Sequence, residues 1–205
     1  GQLLQYLLMV AVSFVLGFAL TYMFGYEDEA EVATEVATER LVQEEKTGNI
    51  PLAPQNETIQ TPIVGDVVAL ENVNDPVFSS GAMGQGIAIK PTEGVVYAPA
   101  DAEVTIAFAT GHAYGLKTAN GAEILIHVGI DTVSMNGEGF DQKVAQGDKV
   151  KAGDVLGTFD AAKIAAAGLE DTTMVIVTNT ADFASVTPVA TGSVAKGDAI
   201  IEVKA

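Results

Sequence analysis

From Thr61 to the C-terminus the sequence predicts an all-β fold, a barrel-sandwich of many short, mostly antiparallel strands with one short helix. Two observations predict it. Short apolar runs alternate with Gly, Asp, Asn and Pro, the pattern of strands separated by tight turns. There is also an internal echo: Val144-Ala145-Gln146-Gly147 followed by Val150-Lys151-Ala152-Gly153-Asp154 is matched by Val189-Ala190-Thr191-Gly192 followed by Val194-Ala195-Lys196-Gly197-Asp198. Such an echo suits a pseudo-symmetric pair of strand–turn units.

The elements follow in order. Residues 3–26 carry no charge, and Tyr6, Tyr22 and Tyr26 sit near the ends of the stretch. It exceeds the roughly 20 apolar residues a membrane-crossing helix needs, with aromatics where the interface belongs. It lacks the basic start and small-residue cleavage site of a signal peptide. Residues 1–26 are therefore expected to be a transmembrane helix, its uncharged span running from residue 3 to residue 26. Residues 27–60 read as an acidic linker: Glu-Val-Ala-Thr occurs twice, at 31–34 and 35–38, without a wide apolar stripe, and Pro51 and Pro54 break any helix. Because the chain begins at Gly1 and not Met, it is expected to be a piece of something longer.

Within 61–205 the strand candidates are Ile63-Val64, Gly86–Ile89, Val95–Pro99, Val104–Phe108, His112–Leu116, Ile124–Val128, Val155–Phe159, Met174–Val177 and Ile200–Val203. The helix candidate is Asp160 to Leu169, with Asp160 as N-cap and Gly168 near its end. With 27 acidic against 10 basic residues the net charge is −17, which repels nucleic acid and favours basic partner surfaces. The absence of cysteine excludes disulfides and thiolate sites.

The chemistry lies in the chain's two histidines. His127 interrupts the apolar run Ile124-Leu125-Ile126-His127-Val128-Gly129-Ile130-Asp131, and His112 precedes it across the turn signal Asn120-Gly121. A hairpin would let the two rings face each other. A neutral imidazole nitrogen is a competent nucleophile near neutral pH. Phosphoryl transfer to nitrogen needs little besides positioning and hydrogen-bond donors. His112 can donate one such bond, Thr110 can hold its far nitrogen, and the backbone around Gly129 can approach closely. Asp131 would repel phosphate, so it would instead orient a ring, help expel the group or meet a basic partner. Read from sequence alone, Val77, Phe78, Phe108 and Val133 suit a plain core.

The motifs Gly84-Gln85-Gly86-Ile87-Ala88-Ile89-Lys90-Pro91, Tyr97-Ala98-Pro99, Thr110-Gly111-His112-Ala113-Tyr114, Ile126 to Val133 and Asn136-Gly137-Glu138-Gly139-Phe140 closely resemble the glucose-family EIIA domain of bacterial sugar phosphotransferase systems. The resemblance spans nearly all of 61–205. The front end, with Phe24-Gly25-Tyr26 before a run of acids, looks like the last helix of an EIIC channel, as in the C-terminal part of an EIIBCA-type permease.

The resemblance implies that His127 accepts a phosphoryl group from the phosphocarrier HPr and passes it to an EIIB domain. It implies that His112 is not phosphorylated but hydrogen-bonds the group, and that Thr110 bonds His112. It implies a shallow apolar docking patch of Val77, Phe78, Phe108, Ile126, Val128 and Val133, with Asp75 and Asp131 as acidic contacts. No cofactor or metal is implied, because the phosphoryl group is carried covalently. The implied location is the inner (plasma) membrane, through residues 3–26, with residues 27–205 cytoplasmic. One departure is Pro76, in a loop that the family keeps more plainly apolar. The competing reading is a zinc-dependent hydrolase on a related fold, using His112, His127 and Asp131. The transported sugar is not legible.

Overall fold

A computed structural model describes residues 53–205. The expected membrane helix and residues 27–52 of the expected linker lie outside the described residues. No helix among the described residues is long and apolar enough to cross a membrane.

Among the described residues, fourteen strands run β1 (Glu57–Gln60), β2 (Gly65–Val68), β3 (Gln85–Pro91), β4 (Val95–Tyr97), β5 (Ala102–Ala107), β6 (Ala113–Thr118), β7 (Glu123–His127), β8 (Phe140–Gln142), β9 (Lys149–Val150), β10 (Val155–Phe159), β11 (Thr173–Val177), β12 (Ser185–Pro188), β13 (Ser193–Val194) and β14 (Ala199–Lys204). They form one eight-stranded sheet of order β13-β2-β3-β11-β7-β6-β5-β9 and two three-stranded sheets, β1-β14-β12 and β4-β10-β8. Every pairing among the described residues is antiparallel. The fold is an all-β sandwich of antiparallel sheets, as the alternation of short apolar runs and turn residues predicts.

The central strand β11 is buried at every position. Its alternate residues explain why. Val175 and Val177 join the main core with Ile87, Ile89, Ile124 and Ile126, whereas Met174 and Ile176 face a second cluster with Leu70, Val73, Phe78, Ala88 and Ile130. A strand covered on both faces reads as an unbroken apolar run, and Met174–Val177 is one.

Four features differ from the sequence reading. Residues 57–60, assigned to the linker, form β1: they pair with β14, and Ile59 is fully buried, so the folded region begins before Thr61. Ile63-Val64 is not a strand; Ile63 is buried in a bend held by the Thr61 hydroxyl donating to its carbonyl at 2.6 Å. The expected single helix is present as α2 (Ala161–Ala166), capped by Asp160, but α1 (Pro76–Ser79) precedes it. Three short 3-10 turns, at Leu70–Asn72, Thr132–Met135 and Thr180–Asp182, add further helical backbone.

The echoed segments are turns. Gly153 and Gly197 take positive φ, and Asp154 and Asp198 each accept a hydrogen bond from the backbone N–H three residues earlier at 2.8 Å. Asp148 closes a third turn of the same kind onto Ala145.

The β6–β7 hairpin positions the site. Its turn, at Asn120-Gly121, is clamped from the N-terminal side. Gln55 N–H donates to Asn120 O at 3.0 Å, and the Glu57 carboxylate accepts from the Thr118 hydroxyl at 2.7 Å. The other end of the hairpin carries both histidines.

Candidate active site

β6 and β7 pair so that Ala113 lies opposite His127, and the strand ends are closed by Val128 N–H donating to His112 O at 2.8 Å. The hairpin thereby brings the two imidazoles together. Their ring centroids are 5.1 Å apart at an interplanar angle of 81°. Each is backed by a phenylalanine: Phe78 lies 5.2 Å from His127 and Phe108 lies 5.4 Å from His112. Four rings thus form a row, Phe78–His127–His112–Phe108.

Each imidazole has one nitrogen held. Nδ1 of His127 lies 2.8 Å from Gly129 O. A carbonyl only accepts, so Nδ1 carries the proton and the lone pair of the neutral ring sits on Nε2. Gly129 makes this contact possible. Its φ is +78°, and a Cβ there would run into the Thr132 side chain and lie 2.8 Å from Glu170 O. On the second ring, Nδ1 of His112 lies 2.6 Å from the Thr110 hydroxyl. A hydroxyl donates or accepts, so this bond suits either tautomer.

Burial disfavours the charged form of both rings. The pKa of His112, only 4% exposed, is lowered to about 4, mainly by desolvation and secondarily by His127. That of His127 is also lowered, by burial, against the opposing effects of the Gly129 carbonyl, Asp75 and Asp131.

The remaining expected residues divide. Val77, Phe108 and Val133 are exposed at 52%, 43% and 54%. Ile126 and Val128, expected in the same patch, are fully buried in the core. The pleat is the reason: side chains alternate across a sheet, so the neighbours of a ring that faces outward point inward. Phe78 is buried as well, and its ring backs His127 from within the second cluster. Pro76 occupies the first turn of α1, where its missing N–H costs nothing. Asp75 caps α1, accepting from Val77 N–H at 2.7 Å and Phe78 N–H at 3.3 Å.

Asp131 lies beyond the Gly129 turn, exposed and in the left-handed region with φ 58°. It forms no ligand set with the histidines. Among the described residues no group of three or more His, Cys, Asp or Glu is placed to hold a metal ion. The zinc-hydrolase reading required that set and is not supported.

Sequence reasoning missed Gly129 O as the partner of His127 and the capping role of Asp75. The second was signalled by Asp75-Pro76, an N-cap followed by proline at the first helical position.

Comparison with known proteins places this geometry. Residues 57–183 match the family model described as phosphoenolpyruvate-dependent sugar phosphotransferase system, EIIA 1. A β-glucoside-specific EIIBCA component of the phosphotransferase system (PTS) of Dickeya chrysanthemi is 50% identical over 142 residues, covering 69% of this chain and 22% of its own length. A PTS glucose-specific EIIA component of Bacillus cereus is 51% identical over 124 residues, covering 60% of this chain and 75% of its own. Among solved structures, glucose permease IIA from Mycoplasma capricolum matches with TM-score 0.69 and 36% identity, over 72% of this chain and 96% of that one. The chain thus spans about a fifth of the fused relative and most of the free-standing ones. A paired histidine site on an antiparallel sandwich, matched by the family model over residues 57–183, assigns the chain to the EIIA 1 family of the phosphoenolpyruvate-dependent sugar phosphotransferase system.

Proposed function

We propose that this domain relays a phosphoryl group during sugar uptake, with Nε2 of His127 accepting it from phospho-HPr and passing it to an EIIB domain. The observation that carries the reading is the bond between His127 Nδ1 and Gly129 O, which directs the ring's lone pair to Nε2. The Nε2 lone pair attacks phosphorus in line. The N–P bond of the donor's phosphohistidine breaks, and its electron pair returns to the donor nitrogen. The Nδ1 proton stays on His127, shared with Gly129 O.

The loose transition state spreads charge over the equatorial oxygens, so a nearby donor stabilises it. His112 is that donor when the Thr110 hydroxyl donates to its Nδ1 and leaves the proton on Nε2. Thr110 acts through His112 and is a positioning residue. No nucleotide or metal is needed, because the group is carried covalently on His127.

Val77, Phe108 and Val133 supply an exposed apolar docking face, with Asp131 and Asp75 as acidic contacts. A net charge of −17 complements a basic partner surface. The chain reads as the C-terminal part of an EIIBCA-type permease, held at the plasma membrane through residues 3–26 with its folded domain in the cytoplasm. Similarity to a fused EIIBCA component and the uncharged stretch at 3–26 support this.

Incubation with phosphoenolpyruvate, Enzyme I and HPr is expected to label the chain with an acid-labile, base-stable phosphate. His127→Ala abolishes the label. His112→Ala still accepts it but fails to donate it onward to EIIB. Label persisting in the absence of His127 sinks the assignment.

A further inference from the structure

One carboxylate oxygen of Asp75 is committed to the backbone. Its Oδ1 accepts from Val77 N–H and Phe78 N–H, and its carbonyl accepts from the Ser79 hydroxyl at 2.7 Å and Ser79 N–H at 2.9 Å. A four-residue helix cannot sustain itself on internal bonds, so α1 depends on this cap. The cap divides the two residues after Pro76. Val77 points to solvent, while Phe78 turns into the cluster of Leu70, Val73, Ile130, Met174 and Ile176 and lays its ring against His127.

We infer that Asp75 is a positioning residue: by capping α1 it holds Phe78 against His127 and so fixes the plane of the phosphoryl-accepting ring. The ring then has two restraints. Gly129 O pins one nitrogen, and Phe78 limits rotation about the Cβ–ring bond, a torsion that is intrinsically broad. In-line transfer is sensitive to such placement. The inference rests on the phosphoryl-relay reading, but its geometric half is testable without it.

Cap chemistry and charge can be separated by substitution. Asn and Ser cap almost as well as Asp but are uncharged, whereas Ala does neither. Asp75→Asn, Asp75→Ser and Asp75→Ala are compared in the full chain by two measurements: the Phe78–His127 ring contact in NMR spectra, and the rate of phosphoryl transfer from phospho-HPr.

With Asn or Ser, the ring contact is expected to persist and the rate to fall only by what the lost charge contributes to partner contact. With Ala, the contact is expected to vanish and the rate to drop at least a further tenfold below that of the Asn variant. The His127 titration adds a sign. Asp75 and Asp131 raise the pKa of that ring, and His112 is the other titrating group packed against it. Loss of the Asp75 charge alone lowers the His127 pKa in the Asn variant. Loss of the cap in the Ala variant also admits water, and raises the pKa relative to Asn.

Equal slowing by all three substitutions overturns the inference in favour of a charge contact with the partner. A contact that survives in Asp75→Ala overturns it outright. If wild type takes no label at all, the relay reading fails, while the ring contact still reports on the cap.

Discussion

At the scale of single residues, the two imidazoles are equipped for different work by their immediate neighbours. A carbonyl fixes the tautomer of His127, whereas a hydroxyl leaves that of His112 adjustable. The pair's burial also has a pH consequence. His112 titrates at about 4 in the folded chain and near 6.5 when unfolded. Between those values the unfolded chain binds a proton that the folded chain does not, so stability rises with pH and is lost as acid is added through that window. The effect is at most about 3 kcal/mol, and the lowered pKa of His127 acts in the same direction. Urea denaturation at pH 7 and pH 4.5 is expected to show a larger loss for wild type than for His112→Gln. Equal losses would mean that His112 protonates freely in the native state.

The histidine pair was legible in the sequence because it made up the entire histidine content, spaced across an Asn-Gly turn. The burial of Ile126 and Val128 was equally available from strand alternation about an outward-facing His127. The resemblance to a docking patch obscured it. Gly129 O could not be foreseen, because every residue has a carbonyl and only the backbone path aims one.

At the scale of elements, α1 and α2 begin with the same device. Asp160 accepts from Ala162 N–H at 2.9 Å and Lys163 N–H at 3.2 Å, as Asp75 does for α1. The anchor of α2 is Ile164, fully buried in the main core. Asp160→Ala is therefore expected to lower stability by about 1 kcal/mol while leaving phosphoryl acceptance at the wild-type rate, measured by denaturation and by labelling. A labelling defect in this variant would mean that any lost cap disturbs the site, and that the effect of Asp75 is not local.

α2 was legible because alanine-rich sequence follows its cap. α1 was not, because four residues give no periodicity. Strand β1 was hidden for a related reason. Glu57-Thr58-Ile59-Gln60 offers one apolar residue, and its partner β14 lies at the far end of the chain.

At the scale of the whole molecule, the fold depends on that distant pairing. β1 seats Ile59 in the core and lends Glu57 to the β6–β7 turn. A chain trimmed to begin at Thr61 loses about 2–3 kcal/mol from the isoleucine side chain alone, and exposes an edge of β14. Its melting temperature is expected to fall by roughly 10 °C. An unchanged melting temperature would show that the core closes without the first strand. The alternation of apolar runs and turns made the sandwich legible, but not which strands pair: order is set by contacts far apart in sequence, and no local pattern encodes them.

The clamp on Asn120-Gly121 has a further result. β7 spans about 13 Å from Glu123 to His127, so Gln55 and Glu57 brace the hairpin a full strand's length from the imidazoles. Stiffness is supplied at the rear of the ribbon, and the end that bears the histidines keeps its surface clear of those bracing side chains.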